Sequence, residues 1–232
     1  MVSPKSFPQA LLFDMDGLML DSECLYQRAW KQAGADLGYD LDETVYLSLV
    51  GRSNAEAERA FVQLYGADFP VEAFRAQWEQ RWQEWVKADG ISLKPGLLDL
   101  LDWVETHGLA KAVGTSSNQA EATLCLQTTG IFDRFAVIVT VDQVKAGKPA
   151  PDIFLAAAQC LDVDPKDCLV LEDSNAGVQA AHAAGMAVIM VPDLQTPTAA
   201  SAAIALQIFD SLHDVCLWLQ SPICPHSESP HS

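Results

Sequence analysis

Cations, long apolar runs and paired cysteines are all scarce in this chain. Its 232 residues carry 31 Asp and Glu against 14 Lys and Arg, a formal net charge of -17. Such a surface repels nucleic acid and anionic membranes at long range, so neither is expected as a partner. A small anionic substrate is not excluded, because the charge that matters to it is local. No apolar run is long enough to span a bilayer, and Met1 to Pro8 lacks the charged-then-apolar form of a signal peptide. The expected location is cytoplasmic. None of the six cysteines (24, 125, 160, 168, 216 and 224) stands in a C-x-x-C pair. Several sit in apolar runs such as Asp167-Cys168-Leu169-Val170-Leu171, which predicts buried reduced thiols rather than disulfides or zinc ligands.

With half its residues hydrophobic and 19% charged, the chain is of ordinary globular composition and long enough for a full core plus a smaller module. Five short apolar runs read as buried parallel strands: Ala10 to Phe13, Ala110 to Gly114, Ala136 to Thr140, Leu169 to Leu171 and Ala187 to Val191. A weaker sixth lies at Gln207 to Phe209. Helical patterns follow at Gly96 to His107, Gln119 to Thr128, Ala150 to Cys160 and Ala176 to Ala184. This alternation predicts an α/β fold with a doubly wound, Rossmann-like parallel sheet. Residues 14–109 separate the first two strands, far more than one crossover needs. They are rich in helix formers and aromatics (Tyr26, Trp30, Phe61, Tyr65, Phe74, Trp78, Trp82 and Trp85), which reads as an inserted helical bundle with an aromatic core. The expected division is a core of 1–20 and 92–220, a helical insertion of 21–91 and a disordered tail of 221–232.

The first strand delivers Asp14-Met15-Asp16-Gly17 to its carboxyl end, where ligands bind in open α/β sheets. Two nearby carboxylates repel unless a cation intervenes, and a hard dication such as Mg²⁺ meets that need. A calcium loop of the EF-hand type also begins D-x-D. It fails here because its fifth, sixth and twelfth places would be Leu18, Met19 and Leu25. The second strand runs into Thr115-Ser116-Ser117-Asn118, hydroxyls and N–H groups at a helix start that suit a phosphate oxygen or simply cap the helix. Gly147-Lys148-Pro149-Ala150-Pro151-Asp152 follows the third strand; Lys148 is either a solvated surface group or the positive charge a dianion requires. The fourth strand ends in Glu172-Asp173-Ser174, more carboxylates or another cap. Four successive strand ends thus offer carboxylates, hydroxyls, a lysine and carboxylates.

The set D-x-D-G, T-S-S, G-K-P-A-P-D and E-D-S-x-x-G resembles the haloacid dehalogenase superfamily across nearly the whole chain, and the insertion resembles its helical cap. Phe13 to Leu18, Asp21-Ser22-Glu23 and Ala184-Gly185-Met186 are similar to the group that includes β-phosphoglucomutase and pseudouridine-5'-phosphatase. The resemblance implies a Mg²⁺-dependent phosphatase acting on a small phosphate ester. In it Asp14 would be the nucleophile and Asp16 the acid–base. The metal would lie between Asp14, the Asp16 carbonyl and Asp173, with Glu172 in or beside its shell. Thr115, the Ser116 N–H and Lys148 would hold phosphoryl oxygens. Arg52 of the cap and Asn118 are implied as substrate-selecting residues. A β-phosphoglucomutase-type mutase is the alternative, disfavoured because that group carries a histidine at Tyr26 and a lysine at Asn118. A phospho-accepting receiver domain is more remote, being about half this length without an insertion. Halide displacement would leave Asp16 and the Glu172-Asp173 pair idle.

Overall fold

The computed structural model describes residues 7–50 and 54–221. In chain order it forms β1 (Ala10–Phe13), α1 (Glu23–Asp36), α2 (Glu43–Leu47), α3 (Asn54–Tyr65), α4 (Val71–Asp89) and α5 (Leu97–Thr106). There follow β2 (Ala110–Gly114), α6 (Gln119–Thr128), β3 (Val137–Val139), α7 (Asp152–Leu161), β4 (Cys168–Glu172) and α8 (Asn175–Ala183). The chain closes with β5 (Ala187–Met190), α9 (Ala199–Ile204), β6 (Gln207–Ile208) and α10 (Leu212–Gln220). The six strands make one parallel sheet in the order β3-β2-β1-β4-β5-β6. Each half winds outward from the centre, so the order reverses between β1 and β4 and leaves a crevice at their carboxyl ends.

The central strand shows why the sequence reads as it does. All four residues of β1 are buried, because helices cover both faces of a parallel sheet. Leu11 and Phe13 face one cluster, which runs on through α5, α10 and the insertion. Ala10 and Leu12 face the other, with Ile153 and Phe154 of α7 and Val178 and Ala181 of α8. The predicted strands hold with small shifts. Thr140 leaves β3 because it caps a short 3-10 turn, Val141–Gln143. Two helices escaped the periodicity reading, α9 and α10; both are capped by their preceding hydroxyl residues, Thr198 and Ser211.

Helices α1 to α4 form the insertion, with α1 packed along α4. Their interface is aromatic, as expected: Tyr26 stacks on Trp82 at 4.8 Å, and Trp30 meets the edges of Tyr46 and Phe61, each at 5.3 Å. Tyr65 and Trp85 are only partly buried, Trp85 beneath the Arg28 guanidinium. The connections into and out of the insertion pair with one another. The Asp21 N–H donates to Ser92 O at 2.9 Å, the Lys94 N–H to Met19 O at 2.8 Å, and Leu20 bridges Leu93 antiparallel. The Lys94 ammonium then joins Asp21 at 3.1 Å to Asp193, beyond β5, at 2.7 Å.

Cys125, Cys168 and Cys216 are free and buried; Cys24 and Cys160 are free but exposed, correcting the expectation of burial for those two. Both lie on the solvent sides of their helices, a position the surrounding apolar residues concealed. Residues 222–232 of the expected tail, with Cys224, lie outside the described residues. Among the described residues no helix is long and apolar enough to cross a membrane.

Candidate active site

Hydrogen bonding across the sheet brings the two acidic strand ends together. The Asp14 N–H donates to Leu171 O at 3.0 Å, fixing the end of β1 beside the end of β4. The chain then turns: the N–H groups of Met19 and Leu20 both donate to Met15 O at 3.0 Å. Gly17 takes φ +85° in this turn, and a Cβ on it would lie 2.3 Å from Asp173 Oδ2. Only glycine meets both demands, the left-handed backbone and the close approach.

Lys148 is not a surface lysine. It is 1% exposed, and its ammonium donates to Asp14 and, at 2.6 Å, to Glu172. The second Glu172 oxygen accepts from the N–H and hydroxyl of Ser174 at 2.8 and 2.9 Å. Ser174 Oγ in turn accepts from the Gly177 N–H at 3.1 Å, capping α8. A Cβ on Gly177 would fall 1.7 Å from the Glu172 carboxylate, which explains the glycine of E-D-S-x-x-G. Glu172 therefore serves chiefly to anchor Lys148, and its neighbour Asp173 is the acid left open to the cavity.

Three carboxylates, of Asp14, Glu172 and Asp173, bring oxygens within 4.8 Å of one another. Burial pushes the Asp14 carboxyl well up, against the pull of Lys148, and Glu172 adds to the rise. Burial also raises Asp173, with Glu172 and Asp14 contributing. One lysine does not offset three desolvated carboxylates, and the all-oxygen donor set suits a hard cation. Asp193 adds a further sign: its Oδ2 is buried without a hydrogen-bond partner and would lie 3.5 Å from a Gly17 Cβ, on the Asp173 side of the turn. The residues present fit a bound metal.

Asp16 is held apart from this cluster. It accepts from the Ser22 hydroxyl at 2.5 Å and the Ser117 hydroxyl at 2.7 Å. Burial raises its pKa while both hydroxyls lower it. Thr115 is buried and its hydroxyl accepts from the Ser117 N–H at 3.0 Å. Asp14, Asp16, Thr115, Ser116, Lys148 and Asp173 all line one cavity, whose other wall comes from the insertion: Glu23, Tyr26, Trp30, Tyr46, Leu49, Val50 and Asn54.

One of the sequence-selected residues stands off this group. Asn118 does not line the cavity; its side chain accepts from the Glu121 N–H at 3.0 Å while Glu121 bonds back to its N–H, a capping box opening α6. The side-chain oxygen of Asn118 is thus spent on the helix. Arg52 lies outside the described residues. Several participants were passed over in the sequence. Ser22 and Glu23 stand in a noted run, yet gave no hint that Ser22 would reach Asp16. Tyr46 and Asp193 carry no local signal, because only the fold brings them in.

Glu121 illustrates the electrostatic load at the seam. Burial raises its carboxyl to about 7, and Asn54 donates to it from the insertion at 3.1 Å. Its folded pKa exceeds the unfolded value of 4.5. The stability it allows is thus full below about pH 4.5 and lost as pH rises through 7, on the order of 3 kcal/mol. Thermal melts of metal-free protein are expected to fall from pH 5 to 8, and Glu121→Gln to flatten that fall; parallel curves for the two proteins would refute it.

Comparison with known proteins matches the chain over residues 11–191 to the model of the haloacid dehalogenase-like hydrolase family. It is 36% identical over 178 residues to the fructose-1-phosphate phosphatase YqaB of Escherichia coli, covering 76% of this chain and 92% of that protein. It is 33% identical over 216 residues to the bifunctional riboflavin kinase/FMN phosphatase of Arabidopsis thaliana, covering 93% of this chain but 56% of that longer protein. Among solved structures, CbbY from Rhodobacter sphaeroides in complex with phosphate superposes with a TM-score of 0.80 at 29% identity, covering 90% of this chain and 96% of that one.

Proposed function

This chain belongs to the haloacid dehalogenase-like hydrolase family and is a phosphatase of it; from that premise we propose that it hydrolyses a small phosphomonoester with Mg²⁺ and a covalent aspartyl-phosphate. One observation carries the reading. A buried carboxylate, Asp14, stands at the sheet's switch point, paired with a buried lysine and facing a second carboxylate, Asp173.

In the first step a carboxylate oxygen of Asp14 attacks phosphorus, and the ester P–O bond breaks. The leaving oxygen takes its proton from Asp16, whose pKa burial raises. In the second step Asp16, now ionised, accepts a proton from water as that water attacks phosphorus. The bond to Asp14 breaks, inorganic phosphate leaves, and Asp16 is protonated again. Ser22 and Ser117 hold Asp16 in place between the steps. Lys148 and the Thr115–Ser116 segment bind phosphoryl oxygens. Asp14, Asp173 and the Asp16 carbonyl would hold Mg²⁺, which when bound neutralises charge between the nucleophile and the dianion. We assign residues 21–91 as a cap that supplies the far wall and excludes water.

The same features support hydrolysis over a mutase reaction. A mutase must grip a second phosphate, and Lys148 is the one cation lining the cavity among the described residues. Tyr26 is uncharged, and Asn118 is turned to its helix. A receiver domain is out of keeping with the family and with an acceptor aspartate on the first strand.

Phosphate release from p-nitrophenyl phosphate and a panel of small phosphomonoesters, with Mg²⁺ and with chelator, tests the assignment; no metal-dependent release from any of them would overturn it. The metal-free protein should also be stabilised by Mg²⁺. At ten to a hundred times the dissociation constant, linkage gives about 1.4 to 2.7 kcal/mol, visible as a rise in melting temperature that Asp173→Asn abolishes.

A further inference from the structure

We propose that Gln195 is a positioning residue for the active-site wall: from the catalytic half it caps α2 of the insertion and so fixes Leu49 and Val50 in the cavity. The proposal rests on the phosphatase reading above. Gln195 Nε2 donates to Leu47 O and to Val50 O, each at 3.2 Å. Its Oε1 accepts from the Asn175 N–H at 3.3 Å and from Asn175 Nδ2 at 3.2 Å. A glutamine amide offers two donors and two acceptor lone pairs. All four are spent here, the donors on the insertion and the acceptors on the catalytic half.

Both ends of this bridge are built for it. Asn175 opens α8, two residues beyond Asp173. Its Nδ2 also donates to Thr196 O at 3.1 Å, and its Oδ1 accepts from the Thr198 N–H at 2.9 Å. Pro192 and Pro197 flank the segment and restrict its backbone. Gln195 thus stands at a fixed offset from Asp173.

At the other end, α2 has five residues, Glu43–Leu47, too few to hold as a helix in water by themselves. A helix leaves its last carbonyls without partners of its own, and Leu47 closes α2. Gln195 supplies donors there from outside the insertion. Leu49 and Val50 follow α2 directly and line the cavity, as does Tyr46 within it. Tyr46 is tied back to α1, its hydroxyl donating to Glu23 O at 3.0 Å. Farther on, Asn54 donates to Glu121 of α6 at 3.1 Å. Leu47, Val50 and Asn54 are thus all fastened to the catalytic half.

Apolar packing alone lets two surfaces slide, whereas hydrogen bonds depend on distance and angle and fix an offset. Wall residues that meet the ester in ground state and transition state alike contribute uniform binding. A displaced wall therefore raises KM and leaves kcat nearly unchanged.

The experiment compares the native chain with Gln195→Glu and Gln195→Lys. Gln195→Glu keeps the length, the shape and the acceptor for Asn175, but turns an oxygen toward Leu47 O and Val50 O. For the ester turned over fastest in the phosphate-release panel, its KM should rise at least about tenfold, with kcat within about threefold. Amide hydrogen exchange should quicken at least about tenfold in peptides carrying α2 and keep the native rate in those carrying β1 and β4. Gln195→Lys returns a donor to the two carbonyls and should bring exchange in α2 back to within about threefold of native. An unchanged KM, a fall in kcat in its place, or native exchange in α2 would overturn the inference and leave the phosphatase reading intact. So would a lysine that fails to slow exchange, or faster exchange throughout the chain, which would make Gln195 a support of the whole fold. Should the native chain hydrolyse no ester, the phosphatase reading is what has failed, and exchange in α2 alone decides the bridge.

Discussion

Asp14→Asn is expected to remove phosphatase activity by at least about 10⁴-fold while leaving a folded protein. An amide oxygen is a poor nucleophile toward phosphorus, and losing a group that acts as part of a unit costs nearly the whole rate enhancement. The structural cost should be small. Lys148 keeps its bond to Glu172 at 2.6 Å, and the substitution deletes one of three crowded carboxylates. Above pH 5 the metal-free variant should melt no lower than the native chain, because the carboxyl it replaces is raised by burial and resists ionisation. Phosphate release and a thermal melt on the same preparation check both halves. Retained hydrolysis would remove Asp14 from the mechanism. Loss of activity together with collapse of the melt would show that the residue is needed for the fold.

Lys148→Met should give the largest loss of stability at the site, about 3–5 kcal/mol at pH 7. Removing one partner of a buried ion pair strands the other, and here Asp14 and Glu172 are both stranded. Methionine fills much the same space beside Phe154, whose ring the ammonium faces at 4.8 Å, so packing accounts for little of the change. The pH dependence separates charge from shape. Without the ammonium, which lowers both, the Asp14 and Asp173 carboxyl pKa values rise further, so the folded state holds protons that the unfolded chain has released. The deficit must therefore shrink as pH falls toward 4 and grow as it rises. A deficit that does not change with pH would mean that packing is what was lost. Activity should drop by about 10²-fold or more, since a fixed positive charge on the phosphoryl oxygens disappears.

Much of the fold was legible because a parallel sheet buries both faces of each strand, so a run such as Ala10-Leu11-Leu12-Phe13 reads as a strand without any alternation. The catalytic motifs were legible for the same reason: they fall where those runs stop. The environment of each motif was less so. Lysine is solvated in most proteins, and nothing in Gly147-Lys148-Pro149 states that Lys148 lies at 1% exposure between two carboxylates. Asn118 stands in a hydroxyl-rich segment before a helix, which serves a ligand or a cap equally well; Glu121, three residues on, is the sign of the capping box its side chain makes. Tyr26 and Trp30 were read as bundle core, and most of their surface is. Asp193 comes beside Gly17 through a loop beyond β5, a distance in sequence that no motif spans.

The paired connections at Asp21–Ser92 and Met19–Lys94 have a consequence for how such proteins diversify. The insertion departs and returns through a single doorway, so the sheet meets it as it would meet the tip of a hairpin. Whatever lies beyond the doorway need only begin and end a few ångströms apart, and doubling its length adds about 0.6 kcal/mol of closure entropy. The wall that the insertion lends to the cavity is thereby unlinked from the register of β1 against β2. A different bundle can be grafted at these two strands and inherit Asp14, Asp16 and Lys148 unmoved.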